Sequence, residues 1–182
     1  MPQTFSLPGA PTGAPAEPAF DLSWELFGEL CRALAVRVVR EYDPEIIIGI
    51  ATAGVFPAAI IATIAQRDFY AMRISRRESG AIVRSVPQVL SETPVQARGR
   101  RVLIVDEITT SGETLRLARA VVQEVGPTAV RTATSFVKPG GHRPDYYALE
   151  TGALIVFPWD RQVVRDGDLV THPNYAGVIG EG

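Results

Sequence analysis

Lysine is almost absent from this chain: of its 18 basic residues, only Lys138 is not an arginine. Cysteine is as scarce, with Cys31 alone, which excludes an internal disulfide and suits a reducing, cytoplasmic compartment. The two histidines, His142 and His172, have no second histidine or cysteine at ligand spacing, so no zinc site is expected. No apolar run reaches the ~18 residues that span a bilayer, and no basic stretch leads into an apolar one near the start. Neither a membrane span nor a signal peptide is therefore expected. The net charge of −2 argues against a nucleic-acid-binding surface. Also missing are the two common phosphate loops, G-x-x-x-x-G-K-[ST] and G-x-G-x-x-G.

What is present is enough apolar sequence, 46% of 182 residues, for one folded domain with a sizeable core. Residues 1–19 carry five prolines among Ala and Gly and read as an extended or disordered arm, leaving 20–182 as the domain. Asp21 is a candidate N-cap for a helix reaching about Tyr42, with Leu22, Leu26, Leu30, Leu34 and Val38 as its apolar stripe and Cys31 as a small core residue. Strands are expected at 45–50, 69–74, 102–105, 130–137 and 153–157, with helices to Gln66 and Val125 between them. The arginine-rich stretch 75–101 reads as a functional loop or a hairpin, and 166–182 as a polar tail. Alternating strands and helices imply an α/β fold with a parallel sheet, whose ligands bind beyond the carboxyl ends of the strands. That rule gathers Ala51–Gly54, Asp106–Thr114 and Lys138 into one crevice.

The segment 102–115, Val-Leu-Ile-Val-Asp-Glu-Ile-Thr-Thr-Ser-Gly-Glu-Thr-Leu, carries the most chemistry. A buried strand runs into two acids and then into a hydroxyl- and glycine-rich helix start. First-turn N–H groups and the positive end of the helix dipole suit a phosphate. Thr109, Thr110, Ser111 and Thr114 offer hydroxyl donors, and Gly112 allows close backbone approach. Asp106 and Glu107 can accept hydrogen bonds from two ribose hydroxyls or face a divalent cation.

This segment resembles the motif by which type I phosphoribosyltransferases bind 5-phosphoribosyl 1-diphosphate (PRPP). The resemblance implies a type I phosphoribosyltransferase fold, a parallel twisted sheet flanked by helices with a small hood near 139–165. It implies PRPP contacts from Asp106, Glu107, Thr109, Thr110, Ser111, Gly112, Glu113 and Thr114, and from a pyrophosphate loop at Thr52, Ala53 and Gly54. Magnesium would be held by Asp106, Glu107 and Asp160. Phe136-Val137-Lys138-Pro139 and Phe157-Pro158-Trp159-Asp160 are similar to the 6-oxopurine branch of the family. There Lys138 would donate to the purine 6-oxygen, with Ile155 beside the base and Tyr146 packing over the base or into the core; a lone carbonyl needs one compact donor rather than a guanidinium fork.

The chain also departs from that branch. Thr52 stands where a basic residue is common, so 51–54 is either a plain strand-to-helix turn or a pyrophosphate loop whose charge comes from Arg76 and Arg77. Thr110 replaces an aspartate proposed as proton shuttle, and Leu154 replaces a stacking aromatic. The expected activity is transfer of ribose 5-phosphate from PRPP to a 6-oxopurine, with Asp106, Glu107 and Thr110 as the catalytic set. The expected assembly is a homo-oligomer, dimer or tetramer. The alternatives are a non-catalytic PRPP- or nucleotide-binding regulator and a phosphoribosyltransferase for another base.

Overall fold

The computed structural model describes residues 19–78 and 81–179. Along the chain come β1 (Ala19–Asp21), α1 (Trp24–Glu41), β2 (Ile46–Ala51), α2 (Val55–Ala65) and β3 (Asp68–Ser75). The short strands β4 (Arg77–Glu78), β5 (Ala81–Ile82) and β6 (Gln88–Val89) follow, then β7 (Arg101–Thr109), α3 (Glu113–Glu124) and β8 (Ala129–Val137). Last are β9 (Tyr146–Glu150), β10 (Leu154–Val156), β11 (Gln162–Arg165) and β12 (Asp168–Thr171).

The chain divides into two compact units, one formed by 22–152 and the other by 19–21 with 153–179 among the described residues. The larger unit holds a six-stranded sheet in the order β6-β3-β2-β7-β8-β9. All its neighbours run parallel except β6, which pairs antiparallel with β3. β2 and β7 are near-continuous apolar runs because both of their faces are covered. Ile46, Ile48, Ile50, Val102 and Ile104 face Leu115, Ala118 and Val122 of α3. The alternate residues Ile47, Leu103 and Val105 pack with Leu34, Ala35 and Val38 of α1 and Ala58, Ile61 and Ala62 of α2. Successive side chains of a strand point to opposite faces, so one apolar run fills both layers.

Helix α1 is capped by Ser23, whose hydroxyl accepts from the Leu26 N–H at 3.2 Å, not by Asp21, which closes β1. Its buried stripe is Phe27, Cys31, Leu34, Ala35 and Val38, while Leu26 is 41% exposed. Steps of four residues turn by about 400°, so a strict every-fourth stripe drifts off the core face, and the true one alternates steps of four and three. The 75–101 stretch contains the β4–β5 hairpin and the edge strand β6 rather than a bare loop.

In the smaller unit β1 pairs parallel with β10, and Arg161 reaches Asp21 at 3.0 Å. The expected polar tail holds the β11–β12 hairpin, turned at Asp166 and Gly167, both with positive φ, and a short 3-10 turn at Pro173–Tyr175. No helix among the described residues is long and apolar enough to cross a membrane.

Candidate active site

β7 does not stop at its apolar residues. Its ladder with β8 continues through Asp106↔Thr134, Ile108↔Phe136 and Thr109↔Val137, so both acids sit on the strand's carboxyl end. Asp106 is 8% exposed, and its Oδ1 accepts the Glu107 N–H at 2.9 Å. Burial, and then the neighbouring Glu107 carboxylate, push the Asp106 carboxyl well above its ordinary value. The protein thus holds an acid whose charge is poorly compensated, a group that gains by meeting hydroxyl donors or a cation.

Gly54, at the start of α2, lies directly against this acid. A Cβ there would stand 2.7 Å from Asp106 Oδ1 and 2.6 Å from the Ile50 carbonyl oxygen, so only glycine fits. That contact joins the 51–54 loop to the 106–114 segment, the association expected from the carboxyl-end rule. The Ala51–Thr52 peptide is cis.

After Thr109 the chain makes the turn Thr110-Ser111-Gly112, with Gly112 in the left-handed region at φ 75°. α3 then starts without a side-chain cap; the Ser111 hydroxyl approaches the Glu113 N–H only at 3.5 Å. A helix start left without a cap, on a segment carrying three more hydroxyls, suits an anion. The Thr109 hydroxyl is buried and finds no partner among the described residues. A small cavity of about 150 Å³ is bounded by Asp106, Arg76 and 108–115.

Beside it opens a cleft of about 440 Å³ whose lining includes Thr52, Ala53, Asp106, Glu107 and Thr114 together with Arg73, Arg76 and Arg77. Arg76 borders both spaces. Arg73 escaped the sequence reading, although a signal existed: it sits near the carboxyl end of β3, in register with Ala51 of β2. No group of three or more His, Cys, Asp or Glu gathers to hold a metal among the described residues.

Lys138 follows β8 directly. Its N–H donates to the Thr109 carbonyl at 3.1 Å, and its ammonium donates to the Gly152 carbonyl at 2.9 Å. Tyr146 does not join it at the carboxyl ends. It opens β9, in register with Ala133, and packs in the core with Leu34, Val38 and Ala62, under the guanidinium of Arg37. Its ring is a core group because β9, unrecognised in the sequence, begins there. Ile155 and Asp160 belong to the smaller unit. Ile155 is buried in β10, in register with Phe20, and Asp160 accepts from the Tyr175 hydroxyl at 2.8 Å.

The fold and this cleft define an α/β protein built to hold a phosphorylated sugar beyond the carboxyl ends of parallel strands. The model of the phosphoribosyl transferase domain matches residues 22–167, and the chain belongs to that enzyme family. A xanthine-guanine phosphoribosyltransferase of Nitratidesulfovibrio vulgaris (strain DP4) is 30% identical over 158 residues, spanning 85% of this chain and 92% of that relative. The xanthine-guanine phosphoribosyltransferase of Cereibacter sphaeroides is 31% identical over 157 residues, covering 80% and 89%. Among solved structures, a purine phosphoribosyltransferase from Pyrococcus horikoshii superposes with a TM-score of 0.69 at 28% identity, over 81% of this chain and 98% of that one.

Proposed function

We propose that the protein transfers ribose 5-phosphate from PRPP to a ring nitrogen of a 6-oxopurine, releasing pyrophosphate. The observation that carries this reading is the meeting, in two spaces both bordered by Asp106 and Arg76, of the Asp106–Glu107 pair, the uncapped start of α3 and the three arginines Arg73, Arg76 and Arg77. The similar proteins named for xanthine and guanine support a 6-oxopurine as the acceptor.

In this reading the 5′-phosphate sits in the turn at Thr110–Thr114, where hydroxyls and first-turn N–H groups converge. Asp106 and Glu107 accept from the ribose 2′- and 3′-hydroxyls, fixing the anomeric carbon. The diphosphate lies toward Thr52–Gly54. Thr52 brings no charge there, and arginine forks in the same cleft supply it, matching phosphate oxygens bidentately. Two adjacent acids at the mouth of a phosphate cleft fit magnesium, which takes one or two carboxylates and fills its shell with waters and substrate phosphate oxygens. Held by Asp106 and Glu107, magnesium would supply positive charge to offset that of the leaving diphosphate.

As the bond from C1 to the diphosphate breaks, positive charge builds on the sugar beside Asp106 and Glu107. The purine nitrogen then bonds to C1 and loses its proton to solvent or to the departing diphosphate. Thr110 hydrogen-bonds phosphate or base but is no general base near neutral pH. Catalysis is therefore positioning plus charge stabilisation. Lys138 donates to the 6-oxygen, a role for which one ammonium suffices. The enzyme would work in the cytoplasm in purine salvage, as a homo-oligomer.

Product formation from PRPP with guanine, hypoxanthine, xanthine, adenine, orotate and uracil tests this directly. Nucleotide is expected from one or more of the first three. PRPP binding without turnover of any base would overturn the enzyme reading in favour of a regulator that kept the phosphate turn. Lys138→Ala is expected to raise the KM for the purine more than the KM for PRPP; equal effects would remove Lys138 from base recognition.

A further inference from the structure

The turn after β8 is fastened along the phosphate turn. The Lys138 N–H donates to the Thr109 carbonyl at 3.1 Å, and the His142 N–H donates to the Thr110 carbonyl at 2.7 Å. Within the turn, the Gly141 N–H closes back on the Lys138 carbonyl at 3.0 Å. The approach is close enough that a Cβ on Gly141 would stand 2.7 Å from the Thr110 carbonyl oxygen. The His142 ring then lies on the backbone of Gly112: a Cβ on Gly112 would be 2.3 Å from both Cγ and Cδ2 of the imidazole.

These contacts have a directional consequence. In a trans peptide the C=O of one residue and the N–H of the next point opposite ways. Holding the Thr109 and Thr110 carbonyls toward 138–142 therefore aims the N–H groups of Thr110 and Ser111 away from that turn. Successive backbone N–H groups held in one orientation make an anion-binding concavity. Gly112, at φ 75°, is the joint where the chain swings from this concavity into α3, and the imidazole blocks its collapse toward the β8 turn.

We propose that His142 is a positioning residue for the 5′-phosphate, its flat ring bracing Gly112 so that the Thr110–Ser111 donors stay aimed at the anion. The brace rests on the phosphoribosyl reading of this turn given above. Shape rather than charge is required, because the atoms that meet Gly112 are carbon: Cγ and Cδ2 of the ring, with His142 Cβ behind them at 2.5 Å from a Cβ on Gly112.

The test compares affinity for guanosine 5′-monophosphate with affinity for guanosine, by calorimetry, in the full-length protein. The ratio isolates the phosphate's share of binding. In His142→Ala the ratio is expected to fall roughly tenfold, the scale of one charge-assisted hydrogen bond, with guanosine affinity and the far-ultraviolet spectrum unchanged. The KM for PRPP should rise by a similar factor while kcat at saturating PRPP stays within about twofold. His142→Phe, which keeps a flat ring, should restore the ratio. An unchanged ratio in His142→Ala would overturn the proposal, as would a His142→Phe variant as impaired as the alanine one. A wild-type protein that binds nucleotide no better than nucleoside would instead remove the phosphate turn itself, and is seen before any variant is made.

Discussion

A carboxylate that the fold keeps out of water is a standing cost, and Asp106 bears the largest such burden at the site. Its carboxyl is raised by burial first and by Glu107 second, so the folded protein binds its proton more tightly than the unfolded chain does. The linkage follows from that sign. The protonated form's stabilisation is fully present below the unfolded value of 3.8 and is lost as pH rises through the elevated folded one. At pH 8 Asp106→Asn should therefore raise the thermal midpoint of the ligand-free protein, by about 2–4 °C for each kcal/mol recovered. Near pH 3.8 the two proteins should melt together, and turnover by the variant should fall by orders of magnitude. A variant less stable at pH 8 would mean that Asp106 serves the fold rather than the ligand. The acid itself was plain in the sequence. Its burial was not, because it depends on residues remote in the chain, among them Gly54, more than fifty residues earlier and pressed against its side chain.

Helices and strands were legible wherever one periodicity ran uninterrupted, and illegible where short elements depend on partners. β2, β3, β7, α3 and β8 lie within a few residues of the sequence reading; for β2, β7 and β8 this is because burial on both faces writes itself as an apolar run. β9 was missed because only pairing with β8 makes 146–150 a strand. The β11–β12 hairpin was missed although its signal was present: Asp166-Gly167, between Val163-Val164-Arg165 and Asp168-Leu169-Val170, is a strong short-range hairpin pattern. For α1 the helix was right, and Leu22, Leu34 and Val38 of the expected stripe are buried, but Leu26 is exposed where Phe27 fills the core. Phe27 is fully buried and Leu26 is not, so their alanine variants should separate sharply in urea denaturation. Phe27→Ala should cost about 3–5 kcal/mol by leaving a cavity. Leu26→Ala, on the exposed side, should stay within about 0.5 kcal/mol. Equal losses would restore the every-fourth stripe.

At the scale of the whole molecule, the site is assembled from three strand ends whose residues lie far apart in the chain. Thr52 follows β2, Arg73 ends near β3's carboxyl terminus, and Asp106 and Glu107 lie on β7. A ligand that touches all three ties the sheet's carboxyl edge together and must stabilise the folded state by mass action. Magnesium with PRPP at a hundredfold excess over its Kd should add about 2.7 kcal/mol, read as a rise in thermal midpoint. The same addition to Asp106→Asn should give a much smaller rise, and an equal rise would place the ligand elsewhere. Sequence alone determined the α/β class and the two acids before a hydroxyl-rich helix start. It also singled out the one lysine, because local patterning and residue chemistry are properties of a few adjacent positions. Only the tertiary structure decided that Arg73 and Arg76 line one cleft with Thr52, that Tyr146 is spent on the core, and that His142 lies on Gly112. Those are distances between residues remote in sequence, set by how strands register and helices pack, and no local pattern encodes them.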